Sequence, residues 1–226
     1  MRVETLFLDA GGVLVNPNWE RVSAALARHG VEASAERLAA AEPLAKRDLD
    51  TQQRIVSTTD QSRSWLYFDS VLTHAGVALS EATDAALAEL RDYHARWNLW
   101  ESVPDEVVPC LRRLRAMGLR LIVISNANGT LRDHFGRLGL AALFDHLLDS
   151  HDEGVEKPDP RIFQVALERS GAQPETTVHV GDFYHVDVIG ARAAGLRAVL
   201  LDAAGLYDGV DCPRVRSLTE LVATIA

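Results

Sequence analysis

The chain has 226 residues, 47% of them hydrophobic and 24% charged, the make-up of an ordinary globular protein long enough to bury a full core. Its net charge of -9 argues against general nucleic-acid binding, since no basic stripe exists to release phosphate counterions. A small anionic substrate remains compatible with that charge, because one local cationic site can hold a phosphate against a distant negative surface.

The first apolar stretch is too short for a secretory signal and no small-residue cleavage site follows it. No run approaches the roughly 18 apolar residues of a membrane helix. Cys110 and Cys212 form neither a disulfide framework nor a metal-ligand spacing, which suits a reducing cytoplasm. Oligomeric state leaves no mark in the composition.

In chain order, "LFLDAGGVLV" at residues 6–15 reads as a strand ending at Asp9, with Gly11 and Gly12 just beyond. Residues 16–100 carry helical patterns without a convincing strand: "WERVSAALARHG", "SAERLAAAEPLAKRDL", "SRSWLYFDSVLTHAG" and "SEATDAALAELRDYHARW". Trp65, Tyr67 and Phe68 there read as helix packing, and Trp97 and Trp100 fall where this insert ends.

From residue 101 the rhythm changes. "PDEVVPCLRRLRAMG" puts Val107, Val108, Leu111 and Leu114 on one helical stripe closed by Gly118. A buried strand, "LRLIVIS", follows at 119–125. "DPRIFQVALERSG" repeats the helix design with Ile162, Val165 and Ala166 facing inward, before a strand "VHV" at 178–180. "DVIGARAAG" gives a short helix, and "RAVLL" at 197–201 a further strand. Alternating strands and helices predict an α/β fold, a Rossmann-like, doubly wound parallel sheet. The expected division is a core of residues 1–15 and 101–226 and an all-helical cap of residues 16–100. Ligands bind such sheets at the carboxyl ends of the strands, so a cap inserted after the first strand would overlie the site.

Those strand ends carry chemistry: Asp9 after the first, Ser125 and Asn126 after the second, Lys157 in a helix-leading loop, and Asp182 with Asp187 after "VHVG". Singly, each has an ordinary structural reading. A strand-end acid caps a helix, Ser-Asn builds turns and a lysine is solvated. Lys157 stands out because the chain has one other lysine, Lys46. His179, inside a strand, reads as a core residue or one packed behind the site, whereas His185 lies in the loop between the acids.

Taken together, "LFLDAGGVL", "LIVISN", "EKPDP" and "VGDFYHVDVIGARAAG" resemble, in order, the four motifs of the haloacid dehalogenase-like (HAD) hydrolase superfamily, and the insert resembles its first type of helical cap. The resemblance implies Asp9 as a nucleophile forming an aspartyl-phosphate and Ser125 and Asn126 as phosphate contacts. It implies Lys157 as the balancing cation, and Mg²⁺ held by Asp9, the Gly11 carbonyl and Asp182, with Asp187 in or next to that shell. The chemistry is coherent, because phosphoryl transfer needs positioning and charge neutralisation, and Mg²⁺ relieves the repulsion of converging carboxylates. The partner implied is a small anionic metabolite.

One departure from the family pattern stands out. The family's phosphatases usually place a second Asp two residues after the nucleophile, as general acid and base; here that residue is Gly11. Such groups contribute roughly 10²–10⁴-fold, so the expectation shifts towards substrates with good leaving groups, such as acyl and aryl phosphates. The alternatives are a 2-haloacid dehalogenase, in which halide needs no proton to leave, and a phosphonatase-like enzyme using Lys46 as a Schiff-base lysine. A third is a phosphate-binding regulatory protein without turnover. The Asp182 and Asp187 pair favours the metal-dependent phosphatase.

Overall fold

The computed structural model describes residues 2–225, without the side chains at 60, 61 and 64. Two compact units emerge, Met1–Asn16 with Val103–Ala226 in one and Pro17–Ser102 in the other. The chain runs β1 (Thr5–Leu8), then α1 (Trp19–Arg28), α2 (Ala35–Leu49), α3 (Gln52–Ser57), α4 (Asp60–His74) and α5 (Glu81–Trp97) in the helical unit. It returns through α6 (Val107–Ala116), β2 (Arg120–Ser125), α7 (Leu131–Arg137), β3 (His146–Asp149), α8 (Ser150–Glu153) and α9 (Pro160–Ser170). The last elements are β4 (Thr177–Gly181), α10 (Ile189–Ala193), β5 (Arg197–Leu201), β6 (Arg214–Val215) and α11 (Leu218–Ile225).

The six strands form one parallel sheet in the order β3-β2-β1-β4-β5-β6. β1 and β4 are buried along their whole length, which explains why they are near-continuous apolar runs rather than alternating ones. Register pairs Leu8 of β1 with Val123 of β2 and with Val180 of β4, so the three strands end at one edge. On one face, Phe7, Ile122, Ile124 and Leu148 pack against Ile162, Phe163 and Ala166 of α9. Each large side chain buried there contributes about 1.5–3 kcal/mol.

Two strands escape the periodicity of the sequence. β3 offers only Leu147 and Leu148 as an apolar pair, and β6 is two residues long; both are edge strands that need little apolar surface.

In the helical unit, Asn18, Ser34, Thr51, Thr59 and Ser80 cap the five helices, each side chain accepting from a backbone N–H three residues on. Its core gathers Val22, Leu26, Leu38, Leu72, Leu87 and Leu90 with an aromatic group of Trp19, Tyr67, Phe68 and Trp100. Glu101 ties the two ends of the unit together, accepting from Asn18 Nδ2 and Arg21 Nε at 2.9 Å and from the Tyr93 hydroxyl at 2.8 Å. Among the described residues, no helix is long and apolar enough to cross a membrane.

Candidate active site

In the strand order β3-β2-β1-β4-β5-β6, chain connections leave β1 and β4 in opposite directions, which opens a crevice at their carboxyl ends. Asp9 follows β1 there, its N–H donating to the Val180 carbonyl of β4 at 2.9 Å. Asp182 follows β4, and Ser125 is the last residue of β2. Beyond Asp9 the chain turns back on itself: Leu14 and Val15 N–H donate to the Ala10 carbonyl, and Gly12 N–H donates to that of Val15. Gly12 takes φ +73°, where a side chain would be strained.

Lys157 reaches this edge from the loop before α9 and is 1% exposed. Its ammonium lies 2.7 Å from Asp9 Oδ1 and 2.7 Å from Asp187 Oδ1. The loop is held from two sides. Lys157 N–H donates to Asn126 Oδ1 at 2.7 Å, and Asn126 Nδ2 donates to the Lys157 carbonyl at 3.0 Å. The Asn126 amide thus clasps the lysine backbone, and its place in the site is beside that loop. Pro158 also packs on Gly190 at the start of α10, so closely that a methyl there would sit 2.9 Å from the Pro158 Cα and carbonyl oxygen.

Asp187 stands in a π-helical turn, Tyr184–Val188, where the sequence predicts the start of a regular helix. Such turns recur at functional sites because they re-aim a side chain. Here Asp187 Oδ2 accepts from the Phe183 N–H at 3.0 Å, and Oδ1 lies 3.0 Å from His179 Nε2 besides Lys157. The carboxyl folds back over Gly181, where a Cβ would overlap it.

The electrostatics follow from burying three acids and one lysine together. Burial alone would lower the Lys157 ammonium, but Asp187 and Asp9 outweigh it and hold the pKa above the usual lysine range. Burial would raise Asp187, yet Lys157 and His179 hold it below the usual carboxylate range. At Asp9 burial wins: despite Lys157, and with Asp187 and Asp182 adding repulsion, its carboxyl is pushed up to about 7. Burial likewise lowers the His179 imidazole.

Asp9, Asp182 and Asp187 each present an oxygen within 4.8 Å of the others. An all-carboxylate set of this kind suits a hard divalent cation such as Mg²⁺, whose charge would oppose the upward push on the Asp9 carboxyl.

The loop after β2 is organised by residues that the sequence pattern does not reveal. Asp149 Oδ2 accepts from Gly129 N–H at 2.9 Å and Leu131 N–H at 3.1 Å, and Ser150 Oγ accepts from Ala127 N–H at 3.0 Å. The available signal was the polar Asp-Ser after Leu147 and Leu148, too brief an apolar pair to announce a strand end.

A doubly wound sheet with an acid cluster and a buried lysine at its switch point defines a class of α/β enzyme folds. The chain belongs to the haloacid dehalogenase-like hydrolase family, whose model matches residues 3–195. A human relative, haloacid dehalogenase-like hydrolase domain-containing protein 3, is 40% identical over 152 residues, 66% of this chain and 60% of that protein. Glyceraldehyde 3-phosphate phosphatase of Methanothermobacter thermautotrophicus is 35% identical over 119 residues, 52% of each chain. The matched stretch therefore spans between half and two thirds of these relatives' length. A magnesium-bound HAD-family protein of Bacillus subtilis superposes with a TM-score of 0.72 over 100% of this chain and 99% of its own, at 19% identity, a likeness of fold.

Proposed function

We propose that the protein is a Mg²⁺-dependent phosphatase of small phosphorylated metabolites, acting through an aspartyl-phosphate on Asp9. The carrying observation is the Lys157 ammonium set 2.7 Å from both Asp9 and Asp187, with Asp182 completing the acid cluster. That arrangement supports a site that gathers negative charge and balances it, which is what phosphoryl transfer requires. The phosphatase named among the relatives points the same way.

In this reading Asp9 attacks phosphorus, splitting hydrolysis into transfer to the enzyme and transfer to water. Lys157 keeps Asp9 oriented and balances the incoming phosphate, with Ser125 and neighbouring backbone N–H groups as phosphate donors. Asp9, Asp182 and the Gly11 carbonyl would hold Mg²⁺ with Asp187 beside them. When bound, the cation supplies charge neutralisation at the phosphoryl oxygens. Gly11 offers no proton to the departing group, so substrates whose leaving groups are already stable, acyl and aryl phosphates, are favoured over alkyl monophosphates.

The test is a substrate panel with and without Mg²⁺, run on wild type and Asp9→Asn. The expected result is Mg²⁺-dependent release of phosphate, faster from acetyl or p-nitrophenyl phosphate than from an alkyl monophosphate. Asp9→Asn should lose at least about 10³-fold in turnover with its fold intact. Chloride release from 2-chloropropionate without Mg²⁺, or activity surviving Asp9→Asn, would overturn the proposal.

A further inference from the structure

Lys157 is buried with its ammonium against two acids, so what fixes those acids fixes the ammonium. Asp9 is held by its own backbone turn, with Ala10 N–H donating to Oδ1 at 2.7 Å. Asp187 is held differently. It lies in a π-turn rather than a regular helix, and its Oδ1 must serve both Lys157 and a group from the centre of the sheet. That group is His179 of β4, fully buried, with Nε2 3.0 Å from the carboxylate oxygen.

An ionised carboxylate only accepts hydrogen bonds, so Nε2 of His179 carries the proton and donates it. The ring has little freedom to do otherwise. Register places His179 between Phe7 of β1 and Ala198 of β5, and Phe163 of α9 stacks edge-on against it with centroids 4.9 Å apart. A strand backbone and a core phenyl ring thus aim one N–H at Asp187. The opposite oxygen takes the Phe183 N–H at 3.0 Å. With both oxygens engaged, the carboxylate can neither rotate nor slide, and it presents Oδ1 to Lys157 in one direction.

We infer that His179 is a positioning residue for Lys157, acting through Asp187 to hold the ammonium against Asp9. The inference rests on the phosphatase reading for its effect on turnover, though not for its effect on the lysine. A packing role alone would be met by any apolar ring of similar size. A positioning role demands a donor at the reach of Nε2.

Two lysines make the test direct, because lysine-selective ¹³C and ¹⁵N labelling yields two side-chain signals, assigned with Lys46→Arg. In His179→Phe, which keeps the ring and removes the donor, the Lys157 signal should shift or broaden while that of Lys46 stays. Turnover should fall roughly 10–100-fold, the range found when a group orienting a site ligand is lost, with KM for the phosphate substrate changing far less. His179→Gln, whose amide reaches about as far as Nε2, should return the Lys157 signal towards wild type and recover much of kcat. Should the phenyl variant fail to fold, His179→Leu carries the same comparison.

An unmoved Lys157 signal in a folded donor-free variant would overturn the inference, as would equal losses in the Phe and Gln variants. Displacement of the Lys157 signal in a protein that hydrolyses no phosphate ester would overturn the phosphatase reading and leave the positioning role standing.

Discussion

The two lysines occupy opposite kinds of site, one in each unit. Lys157 has its side chain 1% exposed and bridges two carboxylates that arrive from different strands. Lys46 has its side chain 17% exposed and pairs with Glu42 one helical turn away at 2.9 Å, while the Tyr67 hydroxyl donates to the same Glu42 oxygen at 2.7 Å. The Lys46 pair follows from local geometry, since residues i and i+4 of α2 face one another whatever the rest of the chain does. The Lys157 arrangement exists only when β1, β4, the α9 loop and the π-turn are all in place. Local pairs support a helix, whereas a convergent buried cluster costs stability and is retained where charge must be handled.

Removing Lys157 should therefore break the comparison most severely. Lys157→Met leaves Asp9 and Asp187 buried without a cation, and loss of one partner from a buried ion pair typically costs 3–5 kcal/mol. Denaturant unfolding should register a loss of that order, and turnover on p-nitrophenyl phosphate should fall by at least about 10²-fold. Saturating Mg²⁺ should return part of the stability, because it neutralises the same acids, without returning the activity. A Lys157→Met protein as stable as wild type would mean that the cluster carries no strain for the lysine to relieve.

A second break comes from the backbone under the cluster. Gly181 lies where any Cβ would overlap the Asp187 carboxyl, so Gly181→Ala must push that acid away from Lys157 and His179. Overpacking of this kind costs typically 1–3 kcal/mol. The expected signature is a loss of turnover larger than the stability loss alone explains, because the methyl displaces a group of the site rather than a core side chain. Retention of full activity would show that Asp187 can move without consequence.

How legible these features are in the sequence depends on whether a signal is local. The apolar runs of β1, β2, β4 and β5 announce themselves because strands in the interior of a parallel sheet are covered on both faces and so are largely apolar. β3 and β6 do not, being short edge strands. Asp9, Lys157, Asp182 and Asp187 stand out as polar residues closing apolar runs or as a rare residue type, and the fold brings them together. Partnership is harder to read. Nothing in "VHVGD" says that the histidine reaches Asp187, nor in "ISNAN" that the first asparagine clasps the backbone of Lys157, because both contacts depend on which strands become neighbours. The π-turn is invisible for the same reason: "FYHVDV" has ordinary helical spacing, and tertiary contacts of Asp187 set the wider turn.

The smallest expected effect sharpens the contrast from the other side. Lys46→Met removes the α2 pair but keeps an unbranched, helix-favouring side chain of similar length, so helix propensity is nearly unchanged. An exposed i,i+4 pair is worth about 0.3–0.5 kcal/mol. The largely buried setting of this one, with Tyr67 still donating to the same carboxylate, raises the expected loss to about 1 kcal/mol by thermal or denaturant unfolding. Turnover should stay within about twofold of wild type, since the Lys46 ammonium is committed to Glu42. Borohydride with an aldehyde substrate should trap nothing at position 46, because a lysine held as a charged ion-pair partner is a poor amine nucleophile. Loss of activity in Lys46→Met with stability preserved, or covalent trapping there, would move this lysine from helix support to chemistry and erase the distinction between the two sites.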